Sequence, residues 1–416
     1  MRFASLVKFK RDAYGLSQRE FAKLIGLKEG GERTVRGWES GEHEPSLSNE
    51  TLIRELKVAI PYKDTGGHAG IRFIDLFAGI GGMRMALQQL GGRCVFSSEW
   101  DKFAQKTYAA NFGELPYGDI TKISEDEVPD HDLLLAGFPC QAFSNAGHRK
   151  GFSDTRGTLF FDIQRILVRK RPRMFLLENV KQLRGHDKGR TLSTIIGILR
   201  GDHVSLPKEI SGNDIFVNAL QKKLNYSVSC AVLRSSDFGL PQKRERLYIV
   251  GFDNDYFGDI ELDGFRWPEP LDVVTNVGSI LERDAEKLAK YTISQRLYDG
   301  HMRRKREHQK KGNGFSFSVF MPSDSHTNTL SARYYKDGSE ILIDQSDKGL
   351  LPRKLTPREC ARLQGFPEDF IVDAVSESQV YKQFGNSVSV PVIRQIAGRM
   401  LVLDRAFDNN RPSDRD

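Results

Sequence analysis

The chain has 416 residues, enough for two or three domains and a sizeable core. Lys and Arg outnumber Asp and Glu by 62 to 55, a surplus compatible with a nucleic-acid partner without requiring one. The four cysteines (Cys94, Cys140, Cys230, Cys360) are widely spaced with no Cys-x-x-Cys pair, and no apolar run approaches the roughly 20 residues of a membrane span. These features argue against a zinc site, a disulfide scaffold and a membrane protein. The expectation is a soluble, cytoplasmic protein that binds no metal.

Residues 1–58 read as a separate all-α unit. Ser17 is placed to cap a helix, with Glu20 completing a capping box, and Phe21, Leu24 and Ile25 follow on one face before Gly26. A second short helix over Glu32–Gly41 exposes Arg33, Thr34 and Arg36. Helix, turn and helix resemble the Cro/repressor type of helix-turn-helix, whose second helix enters the major groove. The insert Lys28-Glu29-Gly30-Gly31 lengthens the turn. The alternative is a helical packing module that makes no DNA contact. Residues 59–70, with Pro61 and Gly66-Gly67, read as a linker.

Residues 71–252 form the second unit. A buried strand from Ile71 runs into the Gly-rich turn Phe77-Ala78-Gly79-Ile80-Gly81-Gly82, and a helix follows from Met83. Such a turn lets a ligand approach the backbone, and the helix start offers free N–H groups. A second strand ends in Glu99-Trp100, an acid placed for ribose hydroxyls and a ring able to stack on a purine. A third βα unit is expected to end at Gly118-Asp119-Ile120, with Asp119 accepting from an exocyclic amine. A fourth strand, Asp132–Ala136, leads into Gly137-Phe138-Pro139-Cys140-Gln141-Ala142-Phe143-Ser144. That loop presents the Cys140 thiol at the sheet edge where ligands bind, a position suited to a nucleophile.

After Thr158-Leu159, a helix over Asp162–Lys170 and a strand over Arg173–Val180 are expected, the strand carrying Glu178 near its C-terminal end. Residues 181–214 read as a polar loop holding a short helix, Thr191–Leu199. A helix at Ile215–Leu224 and a strand at Ser227–Leu233 follow. In an extended segment Gln242, Arg244 and Arg246 project to one face. Residues 253–352 are loop-rich, with basic and aromatic residues interleaved, a texture suited to nucleic-acid contact. The run His301–Lys311 is by itself no more than a solvated helix. Residues 353–404 return to helix, first behind a Thr356 cap with Pro357 at the first helical position, then from about Val390 to Leu401. The polar tail, 405–416, is expected to fray.

Taken in order, these motifs resemble the bacterial DNA (cytosine-5) methyltransferase family over about residues 70–400. They are Phe77–Gly82, Glu99-Trp100, Gly118–Ile120, Gly137–Gln141, Arg156–Leu159, Glu178–Val180, Gln242-x-Arg244-x-Arg246, Arg358–Gly365 and Gly385-Asn386-Ser387-Val388. The resemblance implies an α/β, Rossmann-like catalytic domain dependent on S-adenosylmethionine. It also implies a small target-recognition domain at 253–352 and a C-terminal part, 353–404, that returns to the catalytic domain.

The resemblance further implies that Cys140 attacks cytosine C6, Glu178 manages the proton at N3, Arg246 clamps O2 and Arg244 supports the Cys140 loop. Phe77, Gly79, Gly81, Gly82, Glu99, Trp100, Asp119, Ile120, Pro139, Leu159, Asn386, Ser387 and Val388 are the implied cofactor contacts. Gln141, Ser144, Gln242, Thr329, Leu330 and Arg333 are the implied contacts to target DNA, and Gln141 or Ser144 fills the space left by a flipped base. The region Gly312–Gly338 resembles the branch acting on a CCWGG-like palindrome, with CCNGG and CCGG as alternatives. The implied partners are double-stranded target DNA, an operator held by residues 1–58, and a restriction endonuclease that acts on the same site without a stable complex. Two rivals stay open: a tRNA-methylating offshoot of the family, and a repressor whose methyltransferase half is inert.

Overall fold

The structure, a computed structural model, describes residues 3–13, 16–56, 60–64, 70–138, 159–203, 223–258, 265–312 and 317–410. The expected helix at 215–224 falls almost wholly outside that range, as do Pro139, Cys140, Gln141 and Ser144.

The N-terminal unit packs α1 (Phe3–Ala13), α2 (Gln18–Leu24), α3 (Gly31–Ser40) and α4 (Leu47–Glu55) around Val7, Phe21, Val35, Trp38 and Ile53. Ser17 caps α2 and forms the expected capping box with Glu20. The inserted turn ends at Gly30, whose left-handed backbone (φ 86°) admits glycine readily and starts α3. Arg33 and Arg36 are exposed on α3, and Thr34 is half-buried beside them.

Among the described residues, the central sheet has six strands in the order β2-β1-β3-β4-β6-β5. These are β1 (Arg72–Leu76), β2 (Arg93–Ser98), β3 (Leu133–Gly137), β4 (Met174–Val180), β5 (Tyr226–Arg234) and β6 (Glu245–Asp253). The first four are parallel, and β6 runs antiparallel to both its neighbours. Alternate residues of one strand feed opposite cores. Phe73, Leu133, Leu135 and Leu176 pack beneath α5 (Gly82–Gln88), α6 (Lys102–Phe112) and the helix Val390–Asn410. Ile74, Leu134, Ala136 and Leu177 pack against α7 (Leu159–Lys170) and α8 (Arg190–Arg200). A parallel sheet covered on both faces explains the unbroken apolar runs of its strands.

Three expectations need correction. No third strand precedes Asp119. The chain leaves α6 at Phe112, and Asp119 instead caps a single 3₁₀ turn, Ile120–Lys122. The segment has too few apolar residues to bury a strand between layers. The C-terminal tail does not fray at 405, because the last helix continues to Asn410. Arg173 holds Asp404 at 3.1 Å and Asp408 at 3.3 Å, and Tyr256 also donates to Asp408. Part of the expected linker is docked: Tyr62 packs on Phe112 and Phe370, and its N–H bonds the Asn111 carbonyl.

The small domain carries a three-stranded sheet of β7 (Val319–Phe320), β8 (Leu342–Ile343) and β9 (Arg353–Lys354). The basic run forms a mostly exposed helix, Gln295–Lys310. Thr356 caps the helix Pro357–Leu363 as expected, in a capping box with Glu359. Glu359 is completely buried and takes a two-pronged pair from Arg353 at 2.7 and 2.8 Å. β9 is thereby tied to the helix that follows it.

Candidate active site

The strand order reverses between β1 and β3, which leaves a crevice at the carboxyl ends of the parallel strands. A cleft of about 620 Å³ occupies it. Its floor is the turn after β1. Phe77 adopts a left-handed conformation there (φ 57°), a strained state for a residue with a side chain. Gly79 (φ 56°) has open space where a Cβ would stand, so a ligand can lie against the backbone. Gly82 begins α5 beneath the C-terminal segment. A Cβ there would stand 2.8 Å from Val388 and 3.1 Å from the Ser387 hydroxyl. This close approach explains the glycine and brings Asn386, Ser387 and Val388 to the cleft wall.

Glu99, just beyond the end of β2, is buried and accepts from Gly79 N–H at 2.8 Å and Asp101 N–H at 2.7 Å. Burial raises its pKa, and those two N–H bonds oppose the rise. Trp100 beside it is 73% exposed, leaving a ring face open to a planar partner. Leu159, at the start of α7, also lines the cleft.

At the other end of the cleft, β3 and β4 place Gly137 directly opposite Glu178. Glu178 is enclosed, and Arg246 Nε stands 3.1 Å from its Oε1. Burial pushes the Glu178 pKa up, and the charges of Arg246 and Arg244 pull it partly back. A carboxyl in that balance can hold a proton and pass it to a ring nitrogen. Asn179 donates to the Phe138 carbonyl at 3.2 Å, fixing the described end of the strand that leads to Cys140.

Arg244 is buried and reaches three carbonyls: Leu330 at 3.1 Å, Gly385 at 3.3 Å and Ser387 at 2.7 Å. Gln242 is completely buried, and its amide joins Leu330 N–H to the Leu363 carbonyl, both at 2.9 Å. The expected shared face of Gln242, Arg244 and Arg246 is therefore absent. β6 begins only at Glu245, and the residues before it follow an irregular path. Neither Gln242 nor Leu330 has exposed side-chain surface. Thr329 is half-buried, with its hydroxyl on the Lys243 carbonyl at 2.8 Å, while Arg333 is exposed. Asp119 and Ile120 lie outside the cleft lining: Asp119 Oδ1 is engaged by Thr121, and Ile120 is buried in the α7 core.

The sequence did not single out Asp75, Asp101, Lys382 or Gln383, all of which line the cleft. Asp75 is fully buried and bonds Arg84 N–H, and burial pushes its pKa up to about 7. An acid inside an otherwise apolar strand was the available signal. Lys382 pairs with Asp101 at 3.1 Å. No cluster able to hold a metal occurs among the described residues, and no described helix is long and apolar enough to cross a membrane.

Crevices at such a switch point, floored by a Gly-rich turn, characterise Rossmann-like enzymes that bind an adenosine-containing cofactor. Within that class, residues 71–201 and 211–401 match the C-5 cytosine-specific DNA methylases, and the chain belongs to that family. It is 51% identical over 403 residues to the type II methyltransferase M1.ScrFI of Lactococcus lactis subsp. cremoris, covering 96% of each chain. It is 50% identical over 404 residues to M.SsoII of Shigella sonnei, covering 96% of this chain and 97% of that one. Among solved structures, S. pombe Dnmt2 methyltransferase shares the fold, with a TM-score of 0.59 at 22% identity over 81% of this chain and 99% of its own. The protein is a DNA (cytosine-5-)-methyltransferase, and enzymes of this family use S-adenosylmethionine.

Proposed function

We infer that this enzyme methylates C5 of a cytosine flipped out of a short palindromic duplex site, as part of a restriction-modification system or as a solitary methylase. Supporting this is the placement of buried Glu178, paired with half-buried Arg246, beside Gly137 at the root of the Cys140 loop, in one cleft with the Gly-rich turn. The cleft suits an adenosine-bearing cofactor: Gly79 leaves the backbone open, Glu99 keeps acceptor capacity toward ribose hydroxyls, and Trp100 offers a ring. Phe77, Gly81, Gly82, Asp119, Ile120, Pro139, Leu159 and Asn386–Val388 complete the proposed holding set. When bound, S-adenosylmethionine supplies an electrophilic methyl group at its sulfonium.

The chain's own residues prepare the base. The Cys140 thiolate forms a bond to C6, and N3 takes a proton from Glu178 as electron density moves through the ring. C5 then becomes nucleophilic. Arg246 holds O2 and keeps the Glu178 carboxyl oriented. Once C5 carries the methyl group, a base acting through water takes the C5 proton, the S–C6 bond breaks to release the Cys140 thiolate, and N3 returns its proton to the Glu178 carboxylate, which restores the aromatic ring. A free thiol of pKa about 8.5 is mostly protonated at neutral pH, so the arginines near the loop favour the thiolate. Stacked bases cover their ring faces, so the target must leave the helix.

Residues 253–352 read the site, with exposed Arg333 and the basic helix Gln295–Lys310 facing the duplex. The target is CCWGG-like, with CCNGG and CCGG as the alternatives. Residues 1–58 bind an operator through Arg33, Thr34 and Arg36 and regulate the enzyme's own gene.

Bisulfite sequencing of plasmid DNA from cells expressing wild type or Cys140→Ala tests the reaction. Protected cytosines in one palindrome, lost in the variant, are the expected result. Protection that persists in the variant removes Cys140 as nucleophile, and no protection in either sample overturns the DNA reading.

A further inference from the structure

The helix Glu377–Asn386 crosses the cofactor cleft and ends at Asn386, above Gly82. Further back along it, Gln379, Lys382 and Gln383 also line the cleft. Gln383 is 8% exposed, and one end of its amide meets the Thr107 hydroxyl at 3.0 Å. The other end, Nε2, is buried and has no hydrogen-bond partner. The Thr107 hydroxyl donates to Oε1, so the end left over is an N–H donor in need of an acceptor. Gln379 lies one turn away, and its buried Oε1 also lacks a partner. A buried polar atom left unmatched is costly, so two on one helix face beside a cleft point to a ligand that completes them.

Charge indicates which part of the ligand does so. Asp101 caps α6 with one oxygen and pairs with Lys382 through the other, at 3.1 Å, on the same stretch of cleft. The adenosine half of S-adenosylmethionine carries no ionised group. Its amino-acid end carries an ammonium and a carboxylate, matching an adjacent acid, cation, amide donor and amide acceptor.

We propose that Gln383, Lys382 and Gln379 hold the amino-acid end of the cofactor. The Gln383 N–H and Lys382 receive the carboxylate, and the Gln379 carbonyl faces the ammonium. This assignment rests on the cleft being the cofactor site, and the test separates the two claims.

Calorimetric titration of the full chain with S-adenosylmethionine, S-adenosylhomocysteine and 5′-methylthioadenosine, which lacks the amino-acid end, reads the contact directly. Gln383→Leu should weaken the first two ligands about tenfold and leave 5′-methylthioadenosine within about twofold. Gln383→Glu should weaken the first two further, because it sets a negative charge against the carboxylate. Gln379→Leu, at a half-buried position, gives the same pattern where Gln383 variants fold poorly. Equal loss for all three ligands, or loss for none, overturns the assignment. Glu99→Ala reports on the cleft itself: it should weaken all three, and unchanged affinities would remove the cofactor from this site.

Discussion

Arg246 and Glu178 meet as diagonal neighbours across β4 and β6, with the guanidinium Nε 3.1 Å from the carboxylate. The antiparallel register sets Val180 opposite Arg246 and Glu178 opposite Tyr248, so the two side chains share one face two residues out of step. Burial raises the Glu178 pKa while Arg246 restrains the rise. An enclosed carboxyl and the cation that positions it are thus supplied by one pair of strands. Glu178→Gln preserves the side-chain shape and an acceptor but removes the transferable proton. Single-turnover methyl transfer should fall by about 10²–10⁴-fold, with cofactor affinity within about twofold of wild type. An unchanged rate would exclude Glu178 from proton transfer.

Asp75 should impose a pH dependence on stability. Its pKa rises from an ordinary 3.8 to about 7 on folding, so the native state binds its proton more tightly than the unfolded chain. The resulting stabilisation is complete below about pH 4 and is lost as pH rises through about 7. Asp75→Asn removes this titration. In urea titrations, the variant should therefore gain stability relative to wild type across that interval, by up to about 1.4 kcal/mol per pH unit. A constant difference would show that Asp75 does not titrate there.

Gly385 marks the contact between the Leu330–Ala332 loop and the cleft wall. A Cβ at this position would stand 2.3 Å from the Ser331 backbone, which a helix packed on a loop cannot relieve by rotating a side chain. Gly385→Ala should lower stability by about 1–3 kcal/mol. It should also weaken target-DNA binding more than cofactor binding, because Arg244 bonds the Leu330 and Gly385 carbonyls together. Thermal melts and two separate titrations check this.

Arg33 and Arg36 stand exposed on α3, away from the catalytic cleft. Replacing either by Ala should weaken binding to the enzyme's own promoter and reduce the salt slope by about 1 if it contacts a phosphate. Methylation of plasmid DNA should be unaffected. Promoter binding that survives the loss of both arginines would remove α3 as the reading element.

Much of the architecture was legible because it is encoded locally. Ser17 with Glu20 formed the expected capping box and Thr356 the expected cap, since each joins groups three residues apart. The apolar runs at 71–76, 133–136 and 174–177 became doubly covered strands, and the Gly-rich turn and Glu99 came to the same cleft. Asp119 was misplaced because a motif carries no information about whether the residues before it are extended. Gln242 was misread because alternation implies a shared face only in a strand, and β6 starts three residues later.

The sequence by itself determined the family, most of the strands and the residue types needed for the chemistry. Apolar periodicity, glycines and caps act over a few residues and can be read without neighbours. Tertiary structure alone decided which distant groups meet. It paired Arg246 with Glu178, spent Arg244 and Gln242 on joining the Leu330 loop to the C-terminal helices, anchored Phe138 through Asn179, and turned Gln383 toward the cleft. Those contacts depend on strand order, register and close backbone approach, which arise only when the layers pack.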